Sequence, residues 1–218
     1  MTELKHDKKT LTLVGYVSIF GSVSMLIGAG LWGSTGTDLW QSLATNQMDT
    51  YLNQIEPVKQ WLVANTIFWT VGVLLLGIAG SFMSKFCVSN PQLALFQLVF
   101  VRSAVPMAIV SFVIMLSLAI HPPNIETAYL IGWIGTRIDD IATILIIGVS
   151  PLFLSMAGKS DWVPRWLLIW GYLAGFSGFL AVISLLTGQV ALGFIIIPIG
   201  IGWMIAAGVA IIKKGNSL

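Results

Sequence analysis

Arg102, Arg137, Asp139 and Asp140 are the residues whose type and position ask for chemistry, because each stands deep inside a long apolar stretch. On insertion scales a charge at such a depth costs about 2.5–3.5 kcal/mol, so four of them amount to roughly 10–14 kcal/mol before pairing. Groups that costly are expected to face one another inside a bundle. The set is balanced at two arginines and two aspartates. Arg137 and Asp140 are three residues apart, so a helix brings them to one face where they pair. Asp139 lies about 200° around the axis from Arg137 at 3.6 residues per turn, which points it elsewhere. Arg102, on the preceding apolar stretch, is its expected partner, with a mismatch in depth of a turn or two. Two readings of the four charges stand side by side. In one they are interhelical ion pairs that fix helix register. In the other they form a polar, hydrated site whose arginines bind an anionic or polar ligand, or whose carboxylates relay protons. A charge facing a partner subunit is the remaining alternative. Asn65, Thr66, Gln97, Ser103 and Thr136 are candidate lining residues for such a site, with Trp69 and Trp133 as apolar walls.

The elements that position these residues are legible from hydropathy. The chain has 218 residues, of which 56% are hydrophobic and 9% charged, with a mean hydropathy of +0.90. Soluble domains carry about 25% charged residues, and so few polar groups cannot cover a water-facing surface. Six stretches reach the roughly 20 apolar residues a bilayer crossing needs: 11–32, 61–84, 92–120, 125–156, 165–186 and 190–212. The fold class is therefore an all-α, polytopic membrane protein, a single domain built as a six-helix bundle. The first apolar stretch outruns a secretory signal's apolar core and ends in no clean cleavage site, so it is read as a retained span.

Lys and Arg distribution predicts orientation. If the N-terminus is cytoplasmic, eight basic residues fall on that side (Lys5, Lys8, Lys9, Lys85, Lys159, Arg165, Lys213, Lys214) and only Lys59 on the other. Both termini are expected to be cytoplasmic. The last two spans are joined by the tight turn Thr187-Gly188-Gln189. The one long connection, from Gly33 to Gln60, is expected to hold an amphipathic helix from Asp38 to Ile55, capped by Thr37 and ended by Pro57, with Leu39, Leu43, Met48, Tyr51, Leu52 and Ile55 on one face. It either lies on the outer surface with Trp40 and Tyr51 at headgroup level or covers an outward-facing cavity. Asn90-Pro91 and Asp161 to Pro164 are helix-start signals for the third and fifth spans. Gly171 and Gly175 form a GxxxG pair for close helix approach, and Pro106, Pro151 and Pro198 are expected to kink their spans. Gly15-Tyr16 with Phe20 is echoed by Gly171-Tyr172 with Phe176, a spacing that leaves a parallel internal repeat open.

Much chemistry is excluded. A net charge of +2 does not suggest nucleic acid, the single Cys87 precludes an internal disulfide, and the two histidines, His6 and His121, cannot form a buried bis-histidine haem site. No lysine stands mid-span for a Schiff base. There is no HExxH or GxSxG motif, and Asp139-Asp140 has no second acidic motif to make a diphosphate site with magnesium. His121 and Glu126 are too few to argue for a metal. No catalytic residue, metal or cofactor is expected, and an intramembrane enzyme acting on a lipid or quinone is the least favoured reading. Expected partners are membrane lipid, a small-molecule ligand, and other membrane subunits or a second copy of the chain.

The polar loop from Thr37-Asp38 to Lys59, the polar turn Arg137-Ile138-Asp139-Asp140 in the fourth span, and Val163-Pro164-Arg165-Trp166-Leu167 followed by Gly171 and Gly175 make the chain resemble a family of uncharacterised bacterial six-span membrane proteins, domain of unknown function four-three-eight-six. The layout covers most of the chain, and the specific motif about ten residues. The resemblance implies six spans and a bacterial inner membrane. It implies no activity.

Overall fold

The computed structural model describes residues 8–187 and 193–217. The elements in order are α1 (Lys8–Ser34), α2 (Leu39–Ala44), α3 (Met48–Ile55), a 3₁₀ turn (Glu56–Val58), α4 (Lys59–Lys85), α5 (Pro91–Ile120), α6 (Ile125–Thr143), a π-helical segment (Ile144–Val149), α7 (Ser150–Gly158), α8 (Arg165–Thr187) and α9 (Ile196–Asn216). Among the described residues six helical runs are long and apolar enough to cross a membrane. The fourth run joins α6, the π segment and α7 without a break, and the second includes α3 and α4. The outward faces are themselves apolar: Leu13, Phe20, Val113, Phe176 and Leu186 are all exposed. Such continuous apolar cover suits lipid and not water. The expected turn at Gly188 and Gln189, and Val190 as the start of the sixth span, lie outside the described residues, as do Lys5 and His6.

Small residues set the packing. α1 lies between α4 and α9. A Cβ built on Gly208 would stand 2.7 Å from the Gly15 carbonyl oxygen, and one on Gly21 would stand 3.1 Å from that of Gly72, so both contacts are backbone against side-chain-free backbone. Without a hydrophobic force between helices in lipid, that closeness and interhelical hydrogen bonds hold the bundle. Ser18 donates to the Met204 carbonyl at 2.7 Å, Ser24 to Phe68 at 2.7 Å and Asn65 to Gly28 at 2.8 Å. Gly171 and Gly175 do form the expected close face, against Ser155 and Leu152 of α7. Gln97 is buried and joins α5 to α4 and α7 through Ser84 and Ser150.

The prolines behave in three different ways. Pro106 sits within α5. Pro151 follows the π segment, whose wider turn accommodates the ring and missing N–H that would otherwise collide with the Ile147 carbonyl four residues back. Pro198 is the third residue of α9, where no intrahelical donor is required, and follows a turn at Ile195 that separates α9 from helical Gly193 and Phe194.

The polar connection differs most from expectation. One helix from Asp38 to Ile55 is replaced by two, α2 and α3, broken where Asn46 takes a left-handed φ of 56°, a conformation asparagine tolerates better than most residues. The cap is Asp38 and not Thr37: its carboxylate accepts from the Gln41 N–H at 3.0 Å. Leu39, Leu43, Met48, Tyr51 and Ile55 are all buried, with Leu62, Leu118, Ala119 and Ala128, in a second core at this end of the bundle. Tyr51 is thus a core residue and not a headgroup anchor.

At the opposite end, which carries Lys85, Lys159, Arg165, Lys213 and Lys214, two loops clasp each other. Asp161 accepts from the Ser89 N–H and hydroxyl at 3.0 and 2.7 Å. Asn90 occupies the cap position of α5, but its side chain donates to the Ala157 carbonyl and does not cap. Trp162 donates to the Cys87 sulfur at 3.4 Å. Burial, reinforced by the Asp161 charge and opposed by the Trp162 hydrogen bond, pushes the Cys87 thiol up to about 12. The thiolate is the reactive form, so a maleimide at pH 8 is expected to leave Cys87 unlabelled in the folded protein and to label it after denaturation. Rapid native labelling would mean that the clasp is open.

Candidate functional site

α6 begins with a capped first turn, in which the Asn124 side chain accepts from the Thr127 N–H at 2.9 Å. Packed against α5 through Gly135, the helix turns Trp133, Thr136, Arg137, Asp139, Asp140 and Thr143 to border a cavity of about 480 Å³ in the half of the bundle nearer α2. α1, α4, α5, α8 and α9 supply the other walls, with Trp32, Trp69, Phe112, Ala181, Phe194 and Ile197 among the lining residues. α6 follows α5 and scarcely meets α8, and the cavity occupies the cleft this leaves. α2 spans one end of it, with Trp40, Leu43 and Ala44 in the lining. The cover reading of the polar connection is therefore the one its position supports.

The expected pair between Arg137 and Asp140 is present: Arg137 Nη1 donates to Asp140 Oδ2 at 3.0 Å. The other carboxylate oxygen, Oδ1, accepts from Trp40 Nε1 at 3.0 Å, which ties α2 to the last turn of α6, midway along the fourth helical run. The two side chains retain 30% and 24% of their surface, so the pair is part-buried where it borders the cavity. The Arg137 guanidinium lies 5.8 Å from the centre of the Trp133 ring.

Asp139 is buried and does not meet Arg102. Its Oδ1 accepts from the Ser111 hydroxyl of α5 at 3.2 Å. The same hydroxyl stands 3.0 Å from the Ala108 carbonyl, so one hydrogen serves two acceptors. Among the described residues Asp139 has no cationic partner. Arg102 is nine residues from Ser111 on α5, which is two and a half turns. It therefore points about 180° away from the side that faces Asp139, and at a depth roughly 14 Å different. Arg102 is exposed on the outer surface of the bundle and borders no part of the cavity.

Of the other expected lining residues, Thr136, Trp69 and Trp133 border the cavity. Asn65 and Thr66 border a much smaller neighbouring hollow. Gln97 belongs to the interhelical polar cluster and Ser103 faces outward. The sequence reading missed Ser111, Trp32, Trp40 and Phe194. A single serine or aromatic, whether in an apolar run or, like Trp40, in the polar connection, has no local signal, because its role depends on which helix comes to face it.

An aromatic cluster covers one side of the cavity. Trp32 is in ring contact with Trp40, Trp69 and Phe194 at centroid distances of 5.9, 6.3 and 5.9 Å, and Trp69 touches Phe112 at 5.4 Å. Tyr129 and Trp133 add aromatic surface from α6. Among the described residues the site thus offers a mostly aromatic container bordered by one salt-bridged arginine, with one acid without a countercharge in its wall. No family model, curated protein or solved structure matches the chain.

Proposed function

We propose that the protein is a multi-pass membrane protein that binds, or carries across the membrane, a small polar or charged ligand held at Arg137, Asp139 and Asp140. The observation that carries the reading is the cavity itself. Purely structural ion pairs need no open volume beside them, whereas these charges border about 480 Å³ under a dedicated cover helix. Intramembrane ionisable groups that line a cavity are functional sites by default.

The orientation proposed puts both termini and the basic end of the bundle in the cytoplasm. α2 and the cavity then belong to the outer half, with α2 between the cavity and the outside. The resemblance described above supports a bacterial inner membrane as the location, and the excess of Lys and Arg at one end supports the orientation. Proton relay through the two carboxylates is a variant of the same site.

A second reading has its own observation. Arg102 makes no ion pair among the described residues and is exposed partway along α5, amid exposed Leu95, Phe96, Val99 and Val110. A charge there suits a partner subunit that supplies an acid, as in an accessory subunit of a membrane complex. Native mass spectrometry of protein gently extracted from its own membrane separates the two. A reproducible adduct of small-molecule mass, lost from the isosteric variant Asp139→Asn, is the expected result. Co-extracted protein subunits with no small adduct would overturn the ligand reading in favour of the accessory one.

A further inference from the structure

We infer that the ligand of this cavity is a small organic cation, an amine or quaternary ammonium carrying apolar substituents. The inference rests on the proposed ligand site and names the class of compound it takes. It begins with charge. Among the described residues Arg137 is the one basic side chain bordering the cavity, and it is already neutralised by Asp140 at 3.0 Å. Arg102, the second arginine that would have favoured an anion, is on the outside of the bundle. What remains is Asp139, buried in the wall, with a shared Ser111 hydroxyl as its hydrogen-bond donor and no cation beside it among the described residues. An ionised Asp139 leaves the cavity with one negative charge in excess, which a cationic ligand completes.

The wall chemistry points the same way. Trp32, Trp40, Trp69, Trp133 and Tyr129 border the cavity. Aromatic rings present negative π faces, and indole binds cations best; quaternary ammonium groups are characteristically recognised by such surfaces. An anion would meet repulsion from the rings as well as from Asp139. Inorganic cations are disfavoured for a different reason: they need several oxygen ligands, and this lining is mostly carbon. Apolar substituents on the cation would be accommodated by Phe112, Ile197 and their neighbours.

The test uses the full chain in lipid nanodiscs, with empty nanodiscs as the background. Tritiated benzyltrimethylammonium is the probe. The competitors are neopentylbenzene, which is its neutral isostere, and benzylsulfonate, an anion of similar size. The expected result is saturable binding of the cation with no competition from the other two. Asp139→Asn is expected to weaken it by about tenfold or more, and Trp133→Leu, an exposed position with little risk to folding, by several fold, with Trp133→Phe retaining most of the affinity. Equal competition by the neutral isostere, preference for the sulfonate, full affinity in Asp139→Asn, or no saturable binding of the cation would each overturn the inference. The wider ligand reading is decided separately, by the small-molecule adduct in native mass spectrometry.

Discussion

Replacing Asp140 by alanine is expected to destabilise the protein by about 2–3 kcal/mol. The substitution leaves the Arg137 guanidinium without its partner and the Trp40 indole N–H without its acceptor. An unpaired arginine in apolar surroundings costs about 2.5–3.5 kcal/mol and a lost hydrogen bond adds about 1 kcal/mol. The 30% of Arg137 still exposed reduces that total, because a part-buried guanidinium bordering a cavity recovers part of its hydration. The double variant Arg137→Met with Asp140→Leu is expected to regain most of the stability, since removing both charges of a buried pair is close to neutral while removing one is not. Thermal denaturation in a fixed detergent reads both. The double variant also divides the functional readings. If the charges only lock helices, the stable double variant keeps its function in cells. If they belong to a ligand site, it is stable and inactive. Exchanging the two residues, Arg137→Asp with Asp140→Arg, adds a third arm. It keeps an i, i+3 pair but removes the carboxylate from Trp40, so α2 is released from the cavity.

The contrast between that pair and Arg102 marks what sequence could reveal. The pairing of Arg137 with Asp140 depends only on helical geometry three residues apart, and it was legible. The pairing of Asp139 was not, because it depends on which face of α5 turns inward. Charge balance pointed to Arg102, but the face is decided by the neighbours: Gln97, Val101, Ala104, Ala108 and Ser111 are buried along one side of α5 and Arg102 is not. The six spans were legible because apolar length is a local property. The polar connection was half legible. Its buried residues Leu39, Leu43, Met48, Tyr51 and Ile55 stood at helical spacing in the sequence. The break at Asn46 was hidden, since a left-handed residue resets the phase of a helix without interrupting its apolar pattern. That α2 covers a cavity follows from the Trp40–Asp140 hydrogen bond between residues 100 apart in sequence, and no local pattern encodes such a contact. Pro151 announced a disturbance in the fourth span, but not that it would take the form of a π segment.

That π segment underlies the second large effect, expected at Gly200. Substituting Gly200 by valine is expected to cost about 3 kcal/mol or more, beyond the usual range of core overpacking. A Cβ at Gly200 would fall on the Ile147 carbonyl oxygen and close to the rest of that residue. Neither side can yield cheaply. Ile147 lies in the π turn that Pro151 requires, so its carbonyl cannot rotate back into a regular α-helical bond. α9 is in turn pinned to α1 by the close approach of Gly208 and Gly15. Gly30→Ala is the matched control: it is helical and exposed, with open space around its built Cβ. It is expected to be neutral or to stabilise by up to about 1 kcal/mol, the helix-propensity difference between the two residues. In the same detergent the denaturation midpoint of Gly200→Val should therefore fall well below the parent's, and that of Gly30→Ala should not fall. Equal midpoints would mean that α9 does not rest on the π segment. Because Ile146, Ile147 and Ile201 all border the cavity, a Gly200→Ala variant that still folds should also lose ligand affinity without any change to Arg137, Asp139 or Asp140. The glycine would then act on the site purely by holding its wall in place.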